Sequence, residues 1–170
     1  MAFITLKWKV GPEKVTASID AFRVRLFGEL REQLKKSMYE LREYIVGSKL
    51  SGSPLHRRSG NLASSIIPTV EGSWPVSRGS VGVDKSAGSE PGQVLKYANA
   101  LEYGANIPER VPMKARALHW LAADGSDVFA KRARAFYLQP HSFMRPSLRE
   151  QRQQIIDGVH ETVNRALKAQ

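Results

Sequence analysis

The sequence contains no cysteine, which excludes disulfides, thiol nucleophiles and thiolate metal sites and fits a cytoplasmic protein. No uninterrupted apolar run approaches the roughly 18 residues that a membrane-spanning helix needs, so no membrane partner is expected. The opening MAFITLKWKV carries Lys7 and Lys9 and lacks a long apolar core or a small-residue cleavage site. It is therefore expected not to be a signal peptide. Acidic residues are scarce, with 16 Asp and Glu against 26 Lys and Arg, a net charge of +10. A balance of that kind favours nucleic acid, anionic membrane or acidic protein as partner. The excess is uneven: residues 1–60 and 111–170 carry most of it, and residues 61–110 are nearly neutral. With 42% hydrophobic and 25% charged residues in a chain of 170, the composition is that of one ordinary domain, spanning 1–170, able to bury a core.

What is present alternates between long helical patterns and short extended ones. Residues 3–10 alternate Ile4, Leu6, Trp8 and Val10 with Phe3, Thr5, Lys7 and Lys9, a β-strand pattern. From Pro12 to about Gly47, Val15, Ile19, Phe22, Leu26, Leu30, Leu34, Met38, Leu41 and Ile45 recur at three- and four-residue steps as one apolar stripe. Arg23, Arg31, Lys35, Lys36 and Arg42 fall largely on the other face. Pro12 suits a first turn and Gly47 a stop. At about 1.5 Å per residue such a helix is roughly 50 Å long, more than a compact domain of this size needs. Either it overhangs its core and packs against something else, or it breaks near Gly28 and folds back.

The segment 47–60 reads as a flexible Ser/Gly/Pro loop, followed by a short helical turn from Asn61 that leads into a strand. Ser59 or Asn61 is placed to cap that turn, Gly60 permits the bend, and Leu62 and Ile66 anchor it. Pro68 argues for an edge position. A second short strand is expected over Ser80–Asp84, then a loop near 85–93, then a short helix over Gln93–Tyr103 with Gly104 as its C-cap. ALHWLAADGSDVFAKRARAF reads as a hairpin turning at Asp124-Gly125, with Arg132 and Arg134 alternating on its return strand. A last helix starts near Pro146, with Leu148, Ile155, Ile156, Val159, Val163 and Leu167 as its apolar face. With no βαβ alternation and no repeat, the fold class is α+β: a long N-terminal helix, a small antiparallel sheet with an inserted short helix, and a C-terminal helix packed on the sheet.

Catalytic and metal-binding patterns are missing. The four histidines, His56, His119, His141 and His160, have neither helical zinc spacing nor a carboxylate cluster. RSGNLASS has one glycine and no lysine and fails the phosphate-loop pattern. His56 with Ser59 or Ser64 and Asp84 makes a triad only on paper, since triads are recognised by geometry. No enzyme activity, cofactor or metal is expected. A nucleic-acid module is the better alternative: His56, Arg57 and Arg58 lie in the loop, and Lys131, Arg132 and Arg134 lie in the basic run KRARAF, where they could hold phosphates. No helix-turn-helix, zinc-finger or RNP pattern accompanies them.

Four stretches, in order, carry a resemblance: HRRSGNLASSI (56–66), VGVDKS (81–86), YANALEYG (97–104) and PHSFMRPSLRE (140–150), the last leading into an amphipathic helix. Together they resemble the tail-completion, or head–tail joining, family of long-tailed bacteriophages, which includes the Z-type minor tail proteins. The family's Arg-[Ser/Thr]-Gly-x-Leu-x-x-Ser-Ile element is matched by Arg58, Ser59, Gly60, Leu62, Ser65 and Ile66. Its Tyr-Ala-x-x-x-Glu-[Tyr/Phe]-Gly element is matched by Tyr97, Ala98, Glu102, Tyr103 and Gly104, and its Arg-Pro-[Phe/Ser]-Leu element by Arg145, Pro146 and Leu148. Ser147 stands where the family often has Phe, and the stretch before Pro12 has no counterpart. The resemblance implies a non-enzymatic virion protein, made in the host cytoplasm and assembled in the neck or tail as a ring, hexameric in the family. Its implied partners are a tail terminator or tail tube protein, head-closure or connector proteins, and DNA passing through the lumen.

Overall fold

A computed structural model describes residues 12–51, 60–73, 75–87, 92–113, 116–122 and 125–168. The elements run α1 (Pro12–Tyr44), α2 (Asn61–Ser65), β1 (Ile66–Ser73), β2 (Val76–Val83), α3 (Gln93–Tyr103), β3 (Ala105–Ile107), β4 (Leu118–Leu121), β5 (Asp127–Ala130), β6 (Phe136–Leu138) and α4 (Met144–Lys168). The fold is α+β, as the sequence patterns require. The strands pair two by two, β1 with β2, β3 with β6 and β4 with β5. The proposed strand over 3–10 lies outside the described residues.

The chain forms two compact units. The first holds α1 through Glu43, the strands from Ile67 to Gly82, and α4 from Leu148. Helix α1 passes Gly28 unbroken. Its polar flank is laced by ion pairs one turn apart, Arg23 with Asp20 at 3.1 Å, Arg25 with Glu29 at 3.9 Å and Lys36 with Glu40 at 3.8 Å, each worth a few tenths of a kcal/mol. Gly28 has open space where a Cβ would stand. Gly28→Ala is therefore expected to stabilise the protein by about 0.5–1 kcal/mol in a urea melt, because alanine restricts the unfolded chain and clashes with nothing.

The C-terminal half of α1 is closely packed. Gly79 of β2 lies so close that a Cβ would come within 2.8 Å of Met38 and 3.0 Å of Leu34. Gly158 of α4 lies against the side chain of Gln33. Towards the N-terminal end of α1, Thr16 to Arg25 are exposed except for Phe22, with Ile19 54% and Val24 75% accessible.

On α4 the apolar face differs from the expected one. Leu148 and Leu167 are about half exposed, Ile155, Ile156, Val159 and Val163 are half-buried, and the buried positions are Ser147, Thr162 and Ala166. Gly158, Thr162 and Ala166 follow at four-residue steps, so small residues on one face allow close approach while the larger ones flank it. The Thr162 hydroxyl donates to the Gly158 carbonyl at 2.9 Å.

The second unit comprises Tyr44–Ile66 and Val83–Ser147. Here α1 ends earlier than Gly47 suggested: a wider π turn takes over at Ile45–Lys49, closed by Leu50 N–H donating to the Ile45 carbonyl at 3.1 Å. That turn buries Ile45 and Leu50 beside a core that includes Ala63, Ile66, Val94, Ala98, Leu101 and Phe143. The bend before α2 is taken by Gly60 at φ +75°, with no side-chain cap. Gly60, in the left-handed conformation that other residues avoid, thus occupies the capping position expected of Ser59 or Asn61. Ser59 lies outside the described residues. The second strand starts earlier than Ser80, at Val76. Its first half, Val-Ser-Arg-Gly, alternates exposed and half-buried positions without an apolar pattern to mark it.

Candidate functional site

The most constrained polar site lies where the end of α3 meets the start of α4. The first four positions of a helix have no intrahelical acceptors for their N–H groups, and a buried helix end must find acceptors elsewhere. No Ser, Thr, Asp or Asn stands at Phe143, the position before α4. The acceptor comes from α3. The carboxylate of Glu102 takes N–H bonds from Phe143 at 2.8 Å, Met144 at 3.0 Å and Arg145 at 3.2 Å. The next residue, Pro146, has no N–H to satisfy. One remote side chain and one proline thus account for the whole helix start.

The interlock runs the other way as well. Carbonyls in the last turn of α3 accept from the strand leading to α4: Leu101 from His141 N–H and Glu102 from the Ser142 hydroxyl, both at 2.7 Å. The Ser147 hydroxyl donates to the Phe143 carbonyl at 2.5 Å, fully buried, and Phe143 is 1% accessible. A phenylalanine at Ser147 would lose that bond.

The electrostatics of Glu102 are set by opposing effects. Burial acts first, pushing its carboxyl upward. The N–H groups of Met144, Phe143 and Arg145 and the Arg145 charge together outweigh it, leaving the carboxyl below the ordinary carboxylate range. The positive end of the α4 dipole acts in the same direction. The Arg145 guanidinium lies 3.4 Å from Glu102 and 4.5 Å above the Tyr103 ring, with its side chain 63% exposed. Because it is so exposed and Glu102 keeps its three N–H donors, Arg145→Ala is expected to cost only about 1 kcal/mol in denaturant unfolding.

The structure therefore brings together two residues singled out by sequence, Glu102 and Arg145, with Gly104 and Pro146 beside them. Tyr97 is exposed on α3, and Leu62 is half-buried in α2. His56, Arg57 and Arg58 lie outside the described residues. Lys131, Arg132 and Arg134 are exposed; β5 ends at Ala130, Arg132 and Arg134 flank Ala133, which is bridged to Arg110, and Arg132 pairs with Glu109 at 3.5 Å. The sequence reading missed the Glu102 carboxylate as the cap of α4. The available signal was a buried helix start without a local capping residue.

Of the residues considered for a triad, His56 and Ser59 lie outside the described residues, and Asp84 and Ser64 are engaged locally. Asp84 accepts from Ser86 N–H at 2.9 Å and the Ser86 hydroxyl at 2.7 Å, bonds that lower its pKa and close its own turn. The Ser64 hydroxyl donates to the Asn61 carbonyl. Among the described residues, no three His, Asp or Glu side chains gather as a metal site, and no helix is long and apolar enough to cross a membrane. No family model, curated protein or solved structure matches the chain.

Proposed function

We propose that the protein is a structural component of a phage neck or tail, one subunit of a ring that completes the tail and joins it to the head-side connector. The observation that carries this reading is the interlock of α3 with α4. The residues that resemble the tail-completion family are occupied with architecture: Glu102 and Pro146 shape the start of α4, and Gly104 allows a close backbone approach. The exposure of Ile19 and Val24 on α1 supports a subunit that gains apolar contacts from its neighbours. Those neighbours would be further copies, a tail terminator or tail tube protein, and head-closure proteins.

The test is a reconstruction of the virion with this chain located in it. Copies arranged as a ring at the head–tail junction are expected, and a particle without them there overturns the proposal. The purified protein is expected to be monomeric or weakly self-associating by sedimentation, forming rings in the particle or with its neighbours.

A further inference from the structure

The described residues of 105–113, 116–122 and 125–138 build a two-stranded arm. At its base, β3 and β6 pair antiparallel from Ala105↔Leu138 to Ile107↔Phe136. The isolated bridge Arg110↔Ala133 lies the same number of positions further along both strands, so it continues that register. The β4–β5 hairpin, running from Leu118↔Ala130 to Leu121↔Asp127, adds a second paired section. Among the described residues no third strand joins either section. A two-stranded ribbon is marginal in water by itself, and this one exposes large rings: Phe129 is 67% and Tyr137 58% accessible.

The charge on the arm is one-sided. Its described carboxylates are engaged, Glu109 with Arg132 at 3.5 Å and Asp127 with His119 at 2.6 Å. Arg110, Arg116, Lys131 and Arg134 are exposed and have no carboxylate within ion-pair distance among the described residues. Elsewhere Asp20, Glu29, Glu32, Glu40 and Glu161 are paired within their own helices. A second copy, also strongly basic, is a poor complement. The complement is another polyanion. Dry protein interfaces gather apolar residues in a core and leave charge to a rim. Here rings and cations are interleaved along the ribbon, which suits phosphates threaded past stacking platforms.

We propose that this arm binds nucleic acid, with Arg110, Arg116, Lys131 and Arg134 contacting the phosphodiester backbone and Phe129 and Tyr137 stacking on unpaired bases. The cations would grip either a single strand or a duplex, and a two-stranded ribbon is of a size to enter a major groove. The rings add contacts only to a single strand. The assignment rests on charge and exposure and stands apart from the assembly reading.

Fluorescence anisotropy of the full chain with a labelled oligothymidine and a labelled duplex, across a KCl series, tests it. The logarithm of the affinity should fall with log[KCl] at a slope of about −3, the value for roughly four phosphates. Combined Arg110→Glu, Arg116→Glu, Lys131→Glu and Arg134→Glu should weaken both probes about 10-fold or more. The charge-matched reversal of Arg78, Arg149, Arg152 and Lys168 should weaken them less than about 3-fold. Phe129→Ser with Tyr137→Ser should weaken oligothymidine about 5-fold or more and leave the duplex unchanged. Should the reversed arm fail to fold by circular dichroism, lysine at the three arginines keeps the test open, because charge without reversal should retain binding. The proposal is overturned by absence of binding at low salt, by equal losses in the two reversals, by ring substitutions without effect on oligothymidine, or by poly-L-glutamate competing as well as the oligonucleotide.

Discussion

Glu102→Ala is expected to destabilise the protein by about 3–5 kcal/mol in urea unfolding followed at the helical circular-dichroism band. The carboxylate is 5% accessible and holds three backbone N–H groups of α4. Alanine leaves those donors without an acceptor and Arg145 without its counter-charge. Glu102→Gln separates shape from charge: it keeps one carbonyl acceptor, loses the charge assistance, and should cost about 2 kcal/mol. A loss below about 1 kcal/mol for the alanine variant would mean that solvent caps α4 as well as the carboxylate does.

The same residue makes stability depend on pH. The folded-state pKa of Glu102 is depressed, so the unfolded chain binds its proton more readily. Its stabilisation is complete above the unfolded value of about 4.3 and is lost as pH falls through that value toward the lower, folded one. Wild-type protein should therefore lose urea resistance on acidification below about pH 4 by more than the Glu102→Gln variant does. Parallel losses would remove Glu102 as the source.

How much of this was legible in sequence depended on whether the signal was local. The stripe through Leu34, Met38 and Leu41 marks α1 because each residue repeats the helical period on one side. The α3 boundaries, Gln93–Tyr103, follow from a short amphipathic run stopped by Gly104. The first half of β2 was not legible, since Ser77, Arg78 and Gly79 carry no alternation of apolar residues; Gly79 is there to let Met38 approach, which only packing shows. The face of α4 was misjudged because burial selected Thr162 and Ala166 over Leu148 and Leu167: where helices come close, small side chains lie inside. The alternation of Arg132 and Arg134 is local, whereas the end of β5 at Ala130 and the bridge of Ala133 to Arg110 depend on a partner strand more than twenty residues away. The Glu102 cap acts across 41 positions of sequence. Local propensity carries no trace of so distant an acceptor.

Gly104→Ala should be strongly disruptive for a single-methyl change, costing about 3 kcal/mol or more. Two effects combine. The residue sits at φ +79° and ψ 163°, a region essentially restricted to glycine, so any side chain strains the link between α3 and β3. An added Cβ would also stand 2.7 Å from the Tyr137 hydroxyl, 3.0 Å from the Leu138 carbonyl and 3.2 Å from Pro140 Cδ. The tyrosine can move, but the Leu138 carbonyl belongs to the Ala105↔Leu138 pair that opens the β3–β6 ribbon. Combining Tyr137→Phe with Gly104→Ala removes the hydroxyl overlap alone and should recover less than half of the loss, because the backbone strain and the carbonyl contact persist. Full recovery would assign the whole cost to the hydroxyl. The alanine variant should also weaken the protection of the Ala105 and Leu138 amides in hydrogen exchange before that of α1, since the damage enters at the base of the arm and α1 belongs to the other unit.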